Sequence, residues 1–133
     1  MKIESKTVSI PAEPEDVFNY ISDLNNFKNL LPQDRISDWE SKEDYCSFKV
    51  QGTATIDLRL KSSKKFSELY LESGEKAPFP IKLTVFLSEM ENGTKAYQIM
   101  EAQINPFLKM MVEKPLANLF DYIADRLVDQ FNK

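Results

Sequence analysis

Residues 106–131, PFLKMMVEKPLANLFDYIADRLVDQF, constrain this chain more than any other stretch. Leu116, Leu119, Phe120, Ile123, Leu127 and Phe131 recur there at spacings of three and four. That period puts one continuous apolar stripe on a long helix. The region before it keeps a different period: from Ile36 to Ile104 the chain mostly reads as alternating runs broken by turn residues. Period-two runs are strands with one apolar face. A sheet with one face to bury, followed by a helix with one stripe to bury, predicts an α+β fold in which a curved antiparallel sheet wraps around the terminal helix. Pro115 lies inside the helical pattern. It cannot donate to the Met111 carbonyl, and an internal proline costs about 3 kcal/mol, so a kink is expected there, or a break with Pro115 opening a second segment.

Residues 2–10 alternate as one strand, with Ile3, Val8 and Ile10 apolar, and Pro11 and Pro14 stop it. Pro14 suits a first helical turn, where its missing N–H is not needed, and Glu15 and Asp16 favour the positive end of the helix dipole. Val17, Phe18 and Ile21 give this helix its apolar face. Asp23 can cap a second short helix carrying Phe27, Leu30 and Leu31, and Pro32 ends it. About six strands follow. RISDWESKE holds Ile36, with Trp39 near its edge. YCSFKV alternates, and Gly52 then permits a turn or bulge. Ala54, Ile56, Leu58 and Leu60 share one face, with Thr55, Asp57, Arg59 and Lys61 on the other. KKFSELYLES is a strand of unfixed phase. GEKAPFP is a loop whose Phe79 either anchors it or guards an entrance. IKLTVFLSEM and KAYQIMEAQI form a hairpin around Asn92-Gly93.

Composition narrows the function. The 133 residues suit one domain with a self-sufficient core. A net charge of -4 without a basic stripe argues against nucleic acid, and LKSSKK (60–65) reads as a solvated turn. A single cysteine permits no intrachain disulfide. Cys46 alternates in phase with Phe48 and Val50 as a small buried hydrophobe, and no histidine exists to activate it. No signal-peptide core or membrane-length apolar run is present, so a cytoplasmic, soluble protein without membrane insertion is expected. Asp121, Asp125 and Asp129 form an acidic stripe four residues apart, read as a solvated face rather than a metal site. No cofactor is indicated.

The opening IPAEPEDVFNYISDLNNFKNLLP (10–32) and the element order resemble the helix-grip fold of the START, birch-pollen-allergen and polyketide-cyclase-like superfamily, in layout across residues 1–133. Leu30-Leu31 stands where members often carry tryptophan before the closing proline. The resemblance implies a single START-like domain with six or seven strands. It also implies a cavity between sheet and terminal helix, with the two short helices at its mouth. Members bind lipids, sterols, quinones or polyketide intermediates, and some are enzymes or protein-binding co-activators.

The leading expectation is therefore carriage of a small hydrophobic or amphipathic molecule, without chemistry, in a cavity of at least about 300 Å³. Its expected lining is Phe27, Leu31, Phe48, Ile56, Leu58, Leu83, Val85, Met100 and Met111, with Gln98 as a polar anchor. Met110 and Met111 beside the proline would suit a deformable wall. Two alternatives stand beside it. A cyclase or dehydratase would need Glu101, Tyr97 or Tyr70 inside the cavity. An interaction module would expose Trp39 and Phe79 in one apolar patch.

Overall fold

The computed structural model describes residues 1–51 and 54–132; the turn or bulge expected at Gly52 lies outside them. In chain order the strands are β1 (Lys2–Glu4), β2 (Val8–Ile10), β3 (Ile36–Lys42), β4 (Tyr45–Val50), β5 (Thr55–Lys64), β6 (Glu68–Ser73), β7 (Ile81–Met90) and β8 (Gly93–Ala102). The α-helices are α1 (Pro14–Ser22) and α2 (Pro106–Phe131), and a 3₁₀ helix spans Leu24–Leu30. The fold is α+β, with an eight-stranded antiparallel sheet in the order β1-β8-β7-β6-β5-β4-β3, β2 also pairing with β8.

This order explains the two short helices. β2 lies at one edge of the sheet and β3 at the other, so the intervening chain must cross the open side. α1 buries Val17, Phe18 and Ile21, and the 3₁₀ helix buries Leu24, Phe27 and Leu30. Pro14 occupies the first turn of α1, and the Asp23 carboxylate caps the second element by accepting from the Asn25 amide at 3.1 Å.

The N-terminal run is two strands rather than one. It breaks at Ser5–Thr7, where the buried Ser5 hydroxyl accepts from the Gln98 amide at 2.9 Å and donates to the Lys6 carbonyl at 3.1 Å. The break turns Lys6 toward α2: its amide donates to Asp121 at 2.8 Å and its Nζ to Asp125 at 2.6 Å. Two members of the acidic stripe are thus tethers, not merely solvated charge. Asp129 pairs with Arg126 at 3.2 Å.

α2 runs unbroken through Pro115. Asn105 caps it by accepting from the Leu108 amide at 2.9 Å. Its buried residues begin at Val112 and continue through Leu116, Leu119, Phe120, Ile123, Ala124 and Leu127, packed over the inward residues of the sheet. The first turns project beyond the core: Phe107 is 72% exposed, Met110 84% and Met111 59%.

The alternation of β5 predicts an outward Asp57, yet it is only 3% exposed. The 74–80 loop folds over it, and its carboxylate accepts from the Lys76 and Ala77 amides at 3.3 and 3.0 Å. Phe79 is buried as the anchor of that loop. Nearby, Cys46 is fully buried; burial, and secondarily the Asp57 charge, push its thiol pKa up to about 12.

Candidate functional site

The space between sheet and α2 is packed, not hollow. Two small voids lie there among the described residues. The first, about 20 Å³, is bordered by Val85 and Gln98 from the sheet, Ile21 and Phe27 from the short helices, and Ile123 and Leu127 from α2, among others. The second, about 10 Å³, is bordered by Phe48, Ile56, Leu58 and Met100 from the sheet, Phe27 from the 3₁₀ helix, and Leu119, Phe120 and Ile123 from α2. Each has room for about one water molecule. The expected internal cavity of about 300 Å³ is therefore corrected. Phe27, Phe48, Met100, Leu119 and Phe120 are long enough to meet across the space that the sheet's curvature creates.

Seven of the ten residues expected to line a cavity border a void: Phe27, Phe48, Ile56, Leu58, Val85, Gln98 and Met100. Leu31 and Leu83 are buried but border neither. Met111 lies outside on an exposed turn of α2. Gln98 is inward as expected, and its side chain is already engaged: Nε2 donates to the Phe120 carbonyl at 3.2 Å, tying β8 to α2. No buried side-chain N or O among the described residues lacks a partner.

An open groove of about 500 Å³ lies between the chain that follows the 3₁₀ helix and α2. Pro32, Asp34 and Arg35 form one wall with Val50 and Gln51; Pro115, Asn118, Leu119 and Tyr122 of α2 form the other. Leu119 borders both this groove and the second void. Phe27 and Ile123 border both voids. Leu119 thus lies between the groove and the second void, and Phe27 and Ile123 lie side by side between the second void and the one that Gln98 borders. Along α2, Phe107, Met111 and Pro115 follow at intervals of four residues, and Tyr122 is seven further on, so the exposed apolar turn leads onto the same helix face as the groove wall. Sequence reasoning assigned Leu119 and Ile123 to the helix stripe without placing them in the site. Their signal was that stripe, read together with the helix's position over the sheet.

The residues of the alternative readings are placed as follows. Glu101 is exposed. Tyr97 is half-buried and borders the first void, but it alternates out of phase with the buried Ala96, Gln98 and Met100, and its ring stacks on Phe86 at 4.9 Å. Tyr70 is half-buried and donates to Glu68; that bond to a carboxylate holds the phenol neutral and raises its pKa. Trp39 is half-buried and stacks on Phe48 at 6.1 Å, and Phe79 is buried, so neither belongs to an exposed patch. The exposed apolar side chains are on α2 instead.

No family model matches the sequence, and no curated protein matches it. Solved structures do match. Protein CV1439 from Chromobacterium violaceum is 10% identical, with a TM-score of 0.77 over 100% of this chain and 99% of that one. The KanY protein in solution is 15% identical, with a TM-score of 0.78 over 100% and 98%. A START superfamily protein from Mycobacterium smegmatis is 12% identical, with a TM-score of 0.67 over 98% and 96%. At these identities the likeness is one of fold: a curved sheet gripping a C-terminal helix. No helix among the described residues is long and apolar enough to cross a membrane.

Proposed function

We infer that this START-like helix-grip chain binds a small apolar or amphipathic molecule, which enters from the groove past Leu119 and is carried without chemical change. The observation that carries this reading is the double position of Leu119, at once the floor of a 500 Å³ groove and the wall of an interior void. A rotamer change at Leu119, followed by Phe27 and Ile123, joins the groove to the space above Val85 and Gln98. The displaced contacts are apolar, so an apolar ligand replaces them in kind. Its own burial contributes about 25 cal/mol per Å² before ordering costs. Gln98, on this reading, keeps its bond to the Phe120 carbonyl and marks the far end of the path.

A titration with decanol, followed by methyl NMR, tests the reading. The expected result is saturable one-to-one binding that shifts the Leu119 and Ile123 methyls and leaves those of Leu83 in place. Absence of saturation, or shifts confined to Met110 and its exposed neighbours, would remove the basis for interior binding.

A further inference from the structure

The groove has a chemical direction, and the geometry points to a ligand with a single anionic head, its charge held by Arg35 at the rim and its tail laid over Leu119. This inference rests on the binding reading above and specifies the ligand that the site selects. Four observations carry it. The floor and sides supply apolar surface from Pro32, Val50, Pro115 and Leu119. The polar groups lining the same groove are Gln51, Asn118 and Tyr122, whose amides and phenol are neutral donors. Arg35 supplies the one cation among the lining residues; it is exposed, and it enters none of the ion pairs formed by the described residues. On the helix side the nearest acid in sequence to the groove wall, Asp121, is occupied by the Lys6 amide.

A guanidinium stays protonated at any working pH, and its planar fork matches a carboxylate through two parallel N–H···O bonds. The side chain is long and solvent-facing, so it reaches over the groove without disturbing the core. Asp34 lines the same rim. Its charge opposes a second negative charge on the ligand, which favours a monocarboxylate over a doubly charged phosphate. The graded surface, charged at the rim and apolar at the floor, fits an amphiphile. A wholly apolar molecule leaves Arg35 unused, and a small polar anion leaves Leu119 and Val50 uncovered.

Matched titrations of the whole chain with decanoate and decanol at neutral pH and low salt test the inference. Decanoate is expected to bind about two- to fivefold tighter, a preference that high salt reduces. Arg35→Gln should bring the two affinities together without changing the melting temperature, and Lys95→Gln, on an exposed position of β8 away from the groove, should leave the preference intact. Equal affinities in the unaltered protein would overturn the anionic head while leaving interior binding in place. Failure of both ligands to saturate would overturn both readings. Uptake onto anionic vesicles without binding of dispersed decanoate would also overturn this one, assigning the cation to a lipid surface.

Discussion

Truncating Leu119 to alanine removes the side chain that separates the groove from the interior, and the structure sets what should follow. A buried leucine cut to alanine costs about 2 to 5 kcal/mol, depending on how far the site can relax. Leu119 has the open groove on one side, so part of the space it leaves joins solvent rather than forming a sealed cavity. The cost should sit near the lower end, about 2 to 3 kcal/mol. For a chain of 133 residues that is a fall in melting temperature of about 8 to 12 °C. The opposite effect is expected on binding. With the floor gone, a ligand tail reaches the second void and buries about two more methylene groups, each worth about 0.8 kcal/mol, so decanol should bind roughly tenfold tighter. Leu116→Ala is the control. Leu116 lies one turn earlier on α2, is fully buried, and borders neither groove nor void. It should destabilise at least as much and gain no affinity. Paired thermal melts and decanol titrations decide the matter: equal gains in both variants, or none in Leu119→Ala, would refute the idea that Leu119 is the barrier.

Other outcomes follow from the same structure. Cys46 should resist thiol reagents in the native state and react on unfolding; because burial raises its pKa from the ordinary 9.0 to about 12, the unfolded chain releases the proton first, so stability contributed by the buried thiol should decline as pH rises from about 9 toward 12, measurable by denaturant titration. Asp57→Ala leaves the Lys76 and Ala77 amides without their acceptor and should cost about 2 to 4 kcal/mol, with faster hydrogen exchange at those two amides as the specific sign. Gly93→Ala would place a Cβ 2.3 Å from the Ile10 carbonyl oxygen, a backbone atom that cannot swing away, and should destabilise by about 1 to 3 kcal/mol in a chemical melt.

The fold was legible where one element declares itself. The period-3.6 stripe of α2, the proline-flanked opening and the alternation of β5 each needed only local sequence. The Asn92-Gly93 signal found the β7–β8 hairpin but not the reason for the glycine. The turn residues are Glu91 and Asn92, with Asn92 at φ 64°, and Gly93 is already paired with Met90 and needed because β2 passes so close. What stayed illegible depends on residues far apart in sequence. Nothing around Asp57 shows that a loop some twenty residues later will cover it. Nor does any one strand show that Phe27, Phe48 and Leu119 together fill the interior. Each reads as apolar from its own segment, but the volume left between them is a sum over three elements. Arg35 reads only as the first residue of the RISDWESKE strand until β4 and α2 are placed beside it.

The tethers on α2 are unevenly distributed. Lys6 holds Asp121 and Asp125, Arg126 donates to the Asn29 carbonyl, Tyr20 donates to Gln130, and the Tyr20 and Phe131 rings meet edge to face. All of these act on the last eleven residues; the turns before Leu116 keep only Val112 in the core. The helix is thus fastened to the sheet from Leu116 onward, where Phe120 is also tied to Gln98, and only its first turns, which follow β8 after residues 103–105, carry little packing. The apolar side chains of Phe107, Met110 and Met111 therefore sit on turns that can be altered with little cost to the core, while changes from Leu116 onward act on the packing of the whole sheet.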